Sequence, residues 1–449
     1  MRFEELKRSM KSAQGDASGP KADRQRDVSD LQRGRGAAST DDAGTKETDK
    51  GSSSVQKGDA VGHGKRHKVN WANTLFLTIT PAVALAGTIW WLAAGRFNLA
   101  TVVFAVVLAY LTGGSITAGY HRLFSHRSYQ TIWPVRLALI LFGGGCFEGS
   151  VWEWCVDHRR HHKHIDSDKD PYNIKEGFWH AHILWLFFKT PENSRRECQD
   201  LWRDPMVRFQ HWFYLPLASL VCFALPAGIA SLWGDALGGL FVAGFLRLVV
   251  NQHVTFAINS VCHYFGKQTY STSHSARDNW FTALFTYGEG FHNFHHEFPV
   301  DYRNGIRCYH WDPTKWFIGL LGWLGLAKNL VRVAPETICL RKMAVKEARL
   351  KASLPDEPGA VQEFATNLLE ATRRQVDEAA ERLKDLRVQY RSLTRAKQTR
   401  VAQQYRVVRK QLRYAEREFR QTVALWESVA RRVTKLVAAN SRVAGVVGA

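Results

Sequence analysis

The chain has 449 residues and a formal net charge of +20, and its seven cysteines form no C-x-x-C pair. This length allows two or three structural units, while the odd number and wide spacing of the cysteines argue against a disulfide framework and a zinc–thiolate site. The first twenty residues are charged and have no apolar core, so we expect no cleavable signal peptide.

The N-terminal segment is polar and basic. Residues 1–68 are rich in Lys, Arg, Asp, Ser and Gly and carry almost no aromatic side chains. A segment of this composition cannot bury enough apolar surface to offset the entropy that an ordered chain loses. We therefore predict a disordered basic tail, which ends in the run HGKRHK.

Four apolar segments follow, each long enough for the about 20 helical residues that a bilayer core requires. The predicted spans are 71–95, 97–119, 213–233 and 236–260. A further apolar stretch over 133–151 is broken by glycines and by Glu148, and we interpret it as shallow or re-entrant. The basic run before the first span places the N-terminus in the cytoplasm. The segment between spans two and three, and all residues after span four, then lie on the cytoplasmic side.

Beyond residue 355 the pattern changes to that of long helices. Alternating three- and four-residue spacing of apolar residues is a heptad signature, and a slip in it near Lys397 indicates a bend. We predict a basic coiled coil or helical hairpin over 355–440. The first apolar series is Val376, Ala379, Leu383, Leu386, Tyr390 and Leu393, and a second series starts at Val401.

Histidines gather in three clusters on the predicted cytoplasmic side. The clusters are HRLFSH at 121–126, DHRRHH at 157–162 and HNFHH at 292–296. One such cluster alone is more often a charged surface, but three on one face of a membrane favour a shared metal site. Side chains at i, i+3 and i+4 of a helix lie side by side, and neutral imidazoles without nearby cysteine suit a transition metal such as iron. The candidate ligands are His121, His126, His158, His161, His162, His292, His295 and His296, with His263 as a ninth and Asn259 holding a metal-bound water.

These residues give the chain a resemblance to the membrane-bound fatty acyl desaturases of the stearoyl-CoA Δ9 type. The stretches that carry it are ITAGYHRLFSHRSY, WEWCVDHRRHHKHIDSDKDPYN, NSVCHYFG and GEGFHNFHHEFPVDYR. The resemblance implies an all-α integral membrane protein: four transmembrane helices and a cytosolic helical cap over 69–335, followed here by the coiled coil. It also implies a di-iron centre. Carried over by position, one iron takes His121, His126, His158, His162 and His296, and the other takes His161, His263, His292 and His295, with Asn259 acting through water.

The resemblance implies an activity as well: O2-dependent insertion of a cis double bond, at Δ9, into a long saturated acyl chain. Iron carries the hard chemical step, and the protein supplies placement and a dry cavity. Three small residues on the second span, Ala109, Thr112 and Gly113, match the end of the family's acyl tunnel. They suit close packing of helices equally well. On the first interpretation, Gly113→Phe shortens the preferred substrate. The implied substrate contacts are Trp152, Trp154, Asp157, Lys189, Ala109, Thr112 and Gly113.

Two departures from the family leave the acyl carrier and the electron donor open. Val156 and Gly149 stand where the animal enzymes have an Arg and an Asn that serve CoA, so an acyl-CoA and an acyl-lipid are both candidate substrates. The chain carries no HPGG haem motif, so electrons are expected from a separate protein: a cytochrome b5, a ferredoxin or a reductase. The coiled coil is a candidate to dock that donor, to attract anionic lipid, or to drive self-association.

Two functions compete with desaturation. One is a related di-iron lipid hydroxylase, against which the long separation of the second and third clusters argues. The other is a non-enzymatic membrane scaffold that acts through the coiled coil, against which the complete ligand set argues. Nucleic-acid binding is not expected, since basic tails on a four-span protein meet lipid head groups. The expected location is a bacterial plasma membrane or the endoplasmic reticulum.

Overall fold

The computed structural model describes residues 68–189, 193–354, 360–395 and 402–447. This part of the chain is helical apart from a short antiparallel pair of strands, β1 (Gln130–Thr131) and β2 (Ala327–Lys328). The predicted disordered tail lies outside the described residues except for Lys68, and so do Lys397 and Val401.

Fifteen helices in the described residues build the fold, and two 3₁₀ turns at Ile174–Glu176 and Leu184–Phe187 join them. In chain order they are α1 (Trp71–Ala93), α2 (Leu99–Ser125), α3 (Trp133–Gly144), α4 (Val151–His164), α5 (Phe178–His182), α6 (Gln199–Trp202), α7 (Pro205–Trp212), α8 (Tyr214–Trp233), α9 (Ala236–Tyr264), α10 (Trp280–Phe285), α11 (His292–Glu297), α12 (Pro313–Trp323), α13 (Pro335–Lys351), α14 (Ala360–Arg395) and α15 (Ala402–Val447).

The four predicted spans correspond to α1, α2, α8 and α9, which are the helices in the described chain long and apolar enough to cross a membrane. Two of them run farther than predicted. Helix α2 continues through a π-helical segment, Ile116–Ser125, and α9 continues to Tyr264. The π-helical segment of α2 is buried throughout, and Cys262 and His263 are buried in the α9 extension, so packing against the rest of the protein supports both helices beyond their predicted ends. The stretch interpreted as re-entrant forms the short apolar helix α3.

A buried carboxylate ties the spans together at the ends away from the histidines. Asp235, in the tight connection between α8 and α9, accepts hydrogen bonds from Trp91 Nε1 (3.0 Å) at the end of α1 and from Thr101 Oγ1 at the start of α2. It also caps α9 by accepting from the Gly238 backbone NH. A Cβ atom on Gly238 would lie 2.1 Å from an Asp235 oxygen, so glycine is required there.

The two long C-terminal helices pack against each other in antiparallel orientation. Arg382 meets Glu418 at 2.6 Å and the Tyr390 and Tyr405 hydroxyls lie 2.6 Å apart, so residue numbers rise on α14 as they fall on α15. Their shared core includes several residues of the predicted heptad series, and α13 adds Met343 and Leu350 to it. The structure thus shows an antiparallel pair of helices, while the domain limits 355–440, supercoiling and self-association stay predictions.

We expect Trp426→Ala to destabilise this three-helix bundle. Trp426 is fully buried in the bundle core, and replacing a buried Trp by Ala costs about 3–5 kcal/mol. The matched control is Tyr414→Ala on the same helix, because Tyr414 is 59% exposed. Limited proteolysis of the purified protein should cut α14 or α15 faster in Trp426→Ala alone. Equal rates in both variants would mean that the bundle does not depend on this core.

Candidate metal centre

Four helices bring the nine predicted histidines to one place. His121 and His126 come from the end of α2, three from α4, His263 from the end of α9 and three from α11. Helix α4 starts with a capping box, in which Ser150 Oγ accepts from the Glu153 NH (3.3 Å) and Glu153 Oε2 accepts from the Ser150 NH (3.0 Å). This cap fixes where the helix begins and therefore which of its side chains face inward.

The nine side chains form two groups, and within each group the ligand atoms all lie within 4.8 Å of one another. In the first group, His295 Nε2 lies 3.0 Å from His121 Nε2 and 2.9 Å from His162 Nε2. In the second, His292 Nε2 lies 3.0 Å from both His263 Nε2 and His296 Nε2. The first group is His121, His126, His158, His162 and His295, and the second is His161, His263, His292 and His296.

This spacing is what a shared cation requires. Two nitrogen ligands bound to one ion at about 2.1 Å and at right angles lie about 3 Å apart. A neutral imidazole has only one N–H, so His295 Nε2 cannot satisfy two neighbouring ring nitrogens by hydrogen bonds alone. An all-imidazole donor set fits iron and other first-row metals. The residues present therefore fit the implied pair of metal ions.

The assignment of His295 and His296 to the two groups, made from the resemblance, is wrong. It placed His296 in the first group and His295 in the second, and the structure exchanges them. The physical reason is helical periodicity: His292 and His296 are separated by four residues on α11 and share a face, while His295 points to the other side. The same rule separates His158 and His162 from His161 on α4.

Burial keeps several of these imidazoles, among them His126, His158 and His295, in the form that binds metal. It lowers the pKa of His126, His158 and His295 well below the usual range, and the positive charge that neighbouring histidines would carry lowers it further. The same holds for His162, His292 and His296. Neutral rings expose a lone pair at pH 7, so the site is ready for a cation.

Side chains behind the rings fix their orientation. His121 Nδ1 lies 3.0 Å from Glu289 Oε2, His161 Nδ1 lies 2.8 Å from Asp170 Oδ1, and His263 Nδ1 lies 2.7 Å from Ser275 Oγ. Each contact holds a proton on Nδ1 and so leaves Nε2 facing the centre. Glu289 also pairs with the buried Arg122 at 2.9 Å. Burial raises the pKa of Glu289, but His121 and Arg122 outweigh that effect and lower it to about 2.

Comparison with known proteins agrees with this centre. The fatty acid desaturase family model matches residues 97–318. The probable acyl-CoA desaturase of Schizosaccharomyces pombe is 42% identical over 310 residues, covering 67% of this chain and 64% of the yeast protein. Acyl-CoA desaturase 1 of Saccharomyces cerevisiae is 43% identical over 276 residues, or 60% and 53% of the two chains. Stearoyl-CoA desaturase 5 of Homo sapiens is 36% identical over 286 residues, or 62% of this chain and 86% of the human protein.

The chain belongs to the fatty acid desaturase family. Its match spans less than two thirds of the length of either yeast relative, at 64% and 53%. It covers 86% of the human relative. The histidine groups, from His121 to His296, lie within residues 97–318 that the family model matches.

A cavity of about 600 Å³ in this desaturase-family chain reaches the metal centre between α1, α2, α4 and α9. Among the predicted substrate contacts, Gly113, Trp154 and Asp157 line it, as does Asn259. His121, His158, His161 and His292 form part of the same wall. An elongated substrate in this cavity would therefore pass both groups of histidines.

Four predicted contacts lie elsewhere. Trp152 packs against Trp202 and His211, on the other side of α4 from the cavity. Ala109 and Thr112 lie behind the cavity wall, and Thr112 Oγ1 accepts a hydrogen bond from Asn251 at 2.8 Å. Lys189 lines a second cavity of about 810 Å³. The correction for Trp152, Ala109 and Thr112 has one physical reason: neighbours on a helix face different ways, and only packing shows which face meets the cavity.

Glu148 and Tyr287 are among the lining residues that the sequence did not mark as candidates for the site. Glu148 lies in the cavity wall, where Oε1 accepts from Thr255 Oγ1 (2.8 Å) and Oε2 accepts from Trp154 Nε1 (3.2 Å). The sequence feature that could have marked Glu148 is its charge inside the apolar stretch 133–151, which we interpret above only as a break in that stretch. Tyr287 also lines the cavity, from the loop before the third histidine cluster. Nothing in its sequence surroundings marks it.

Proposed function

We propose that this chain is a membrane-bound di-iron desaturase that inserts a cis double bond, at Δ9, into a long saturated acyl chain with O2 as co-substrate. The observation that carries the proposal is that histidines of both groups line one cavity of about 600 Å³. Each group would hold one iron, and Asn259, which lines the cavity beside them, would hold a water on the second. Bound iron would supply the oxidising power that an unactivated C–H bond requires.

The chain's own residues would place the acyl chain against this centre. Trp154 stacks on His158, with ring centroids 4.8 Å apart, and so forms a flat wall directly beside the first group. Glu148 bridges Trp154 and Thr255, which joins α4 to α9 across the cavity. A wall braced in this way fixes the path of the acyl chain and thus the carbons that face the histidines.

The second cavity supports CoA as the acyl carrier. It adjoins the cavity of about 600 Å³ that reaches the histidines, since Trp185 and Phe188 line both. Arg160, Lys163 and Lys189 line it with three further basic residues, against four acidic ones. An excess of positive charge suits a head group that carries several phosphates. We propose acyl-CoA as the substrate on this ground and because relatives named above are acyl-CoA and stearoyl-CoA desaturases.

The cellular setting is part of the proposal. The described helices outside the spans would form a helical cap on the cytoplasmic face of a bacterial plasma membrane or the endoplasmic reticulum. A separate cytochrome b5, ferredoxin or reductase would supply electrons. The domain limits 69–335 and 355–440 are proposed with it, and the basic C-terminal helices would serve as a docking or self-association element.

The pH dependence of substrate use gives a test of Glu148. Burial raises its pKa to about 7, although hydrogen bonds from Thr255 and Trp154 lower it in part. The carboxyl is therefore neutral below pH 7 and charged above it, where its charge faces an apolar chain. We expect kcat/KM for the acyl substrate to fall by up to about tenfold per pH unit above 7. Glu148→Gln, which stays neutral, should flatten this fall.

The comparison of the two profiles isolates Glu148 from other groups. Asp157, whose pKa burial also raises to about 7, faces the same cavity, as do Glu153 and Tyr214. These groups are unchanged in Glu148→Gln, so the difference between the profiles belongs to position 148. Identical profiles would show that Glu148 does not titrate against the substrate.

Lipid analysis of cells tests the activity itself. The full chain is expressed with a compatible electron donor in cells that lack their own desaturase, and fatty acids are identified by gas chromatography with localisation of double bonds. We expect a new monounsaturated acid with its double bond at Δ9. Hydroxy acids instead would assign the chain to the hydroxylases. No new lipid, with iron present in the purified protein, would reject both activities.

A further inference from the structure

The cavity beside the histidines, here called the acyl cavity, reaches into the membrane-spanning region, and Tyr287 is one of the aromatic residues that line it. On α2 the lining residues are His121, Thr117, Ile116 and Gly113, so Gly113 lies farthest from the histidines. By helix rise it is about 12 Å deeper than His121. On α9 the corresponding residue is Gln252. Tyr287 also lines the cavity, and its ring lies directly against Gly113.

Gly113 leaves the room that the ring occupies. A Cβ atom at position 113 would lie 2.5 Å from both Cε2 and the hydroxyl oxygen of Tyr287, closer than real Cβ contacts come. Tyr110 packs against the other side of the ring with centroids 5.3 Å apart. The absence of a side chain at Gly113 therefore does not enlarge the cavity. It admits a side chain from another part of the fold.

Beneath the ring lies a buried polar cluster that joins α2 to α9. The Tyr287 hydroxyl is 3.0 Å from the Ala109 carbonyl oxygen and 3.1 Å from Asn251 Oδ1. Asn251 Nδ2 donates to Thr112 Oγ1 at 2.8 Å, and Arg247 donates to the Gly145 carbonyl oxygen at 2.9 Å. All these groups have partners, so an apolar chain end that entered the cluster would leave some of them unpaired.

The backbone holds Tyr287 in place from the side of the loop. Tyr287 has φ of +55°, a conformation that non-glycine residues adopt only when their surroundings impose it. Thr314 Oγ1 donates to the Tyr287 carbonyl oxygen at 3.0 Å and is itself 2.6 Å from Thr117 Oγ1 on α2. The loop is thus fastened to the span whose cavity face the ring covers.

We propose that Tyr287 is the specificity-determining residue that sets the longest acyl chain this protein accepts, by closing the cavity above the Asn251–Thr112–Arg247 cluster. The inference rests on the proposed desaturase function. It replaces the expectation that small residues on α2 mark the open end of the tunnel. It also changes the meaning of Gly113→Phe, whose side chain would collide with Tyr287 rather than enter free space.

Two substitutions should move the chain-length preference in opposite directions. Tyr287→Leu replaces the ring that closes the cavity by a shorter side chain. Each methylene in an apolar pocket changes discrimination between substrates by about 10- to 200-fold. We therefore expect kcat/KM for a substrate two carbons longer to rise at least about tenfold relative to that for the wild-type optimum. Gly113→Ala pushes the ring toward the histidines, and we expect the optimum to become shorter. Tyr287→Phe keeps the ring and should keep the optimum. Tyr309→Leu makes the same substitution at a position that is 77% exposed, and it is the control for effects of expression and purification.

The measurement uses purified full-length protein and a series of saturated acyl-CoAs in two assays. One assay is product formation with a reconstituted electron donor. The other is the thermal stabilisation that each acyl-CoA gives without electrons, which reports binding alone. If the wild type forms no alkene, the proposed activity fails while the binding series still tests the plug. An unshifted series in folded Tyr287→Leu and Gly113→Ala overturns the inference.

Discussion

Replacing His295 by alanine is expected to abolish product formation and to lower bound iron by about half. His295 Nε2 lies 3.0 Å from His121 Nε2 and 2.9 Å from His162 Nε2. Its removal therefore takes away the nitrogen ligand that lies between two other ligands of the first group. Removal of a residue that merely orients a ligand costs about 10- to 100-fold in metal affinity, and loss of a ligand costs more. The second group does not include His295 and should keep its metal.

The measurement combines metal analysis of the purified protein with the fatty-acid profile of the expressing cells. His253→Ala is the matched control, because His253 is an exposed histidine on α9 that belongs to neither group. It should retain both iron and product. If His295→Ala also retained full iron and product, the first group would not be a metal site. Equal loss of metal from both groups would show that the two sites bind cooperatively.

Replacing Glu289 by alanine is expected to destabilise the protein as well as to weaken metal binding. Arg122, which is 1% exposed, pairs with Glu289 at 2.9 Å and with Asp312 at 3.1 Å, and Asn304 donates to the other Glu289 oxygen. Breaking a buried ion pair by removing one partner costs about 3–5 kcal/mol, since the remaining charge stays buried. His121 loses its Nδ1 partner at the same time.

Thermal unfolding and iron titration separate these two effects. Glu289→Gln keeps the side chain's shape and one acceptor, so its melting temperature should fall between those of wild type and Glu289→Ala. The control is Glu381→Gln, which alters an exposed carboxylate paired with the exposed Lys384 at 3.5 Å, where less than about 1 kcal/mol is at stake. A Glu289→Ala protein as stable as Glu381→Gln would contradict the role assigned to this network.

The parts of the fold that the sequence predicts are those set by local pattern. Apolar length locates the four spans, and the three clusters supply eight of the nine histidines. His263 lies outside the clusters and was only a possible ninth ligand. The grouping of His295 and His296 was open to the same spacing argument and was nevertheless assigned wrongly from the resemblance. The pairing of α14 with α15 follows from the heptad pattern, because a repeating apolar stripe requires a partner.

The parts that escaped prediction depend on contacts between distant segments. Tyr287 meets Ala109 across 178 positions of sequence, and Glu148 meets Thr255 across 107. No periodicity relates such positions. Trp152 and Trp154 are two residues apart on α4, yet only Trp154 faces the cavity, and the direction of a helix face follows from the helices around it. Cavity depth in particular is a property of the assembled spans.

The tie at Asp235 gives the four spans an order of assembly. Trp91 and Thr101 are made 144 and 134 residues before Asp235, the carboxylate that accepts their hydrogen bonds. At about 5–20 residues per second, ribosomes need roughly 7 to 30 seconds to cover that interval. Until then the indole and hydroxyl donors of the first hairpin have no Asp235 to bind. Asp235 belongs to the second hairpin, so its contacts with Trp91 and Thr101 form only after the last two spans have been made. The packing of all four spans therefore depends on the last two reaching the first two.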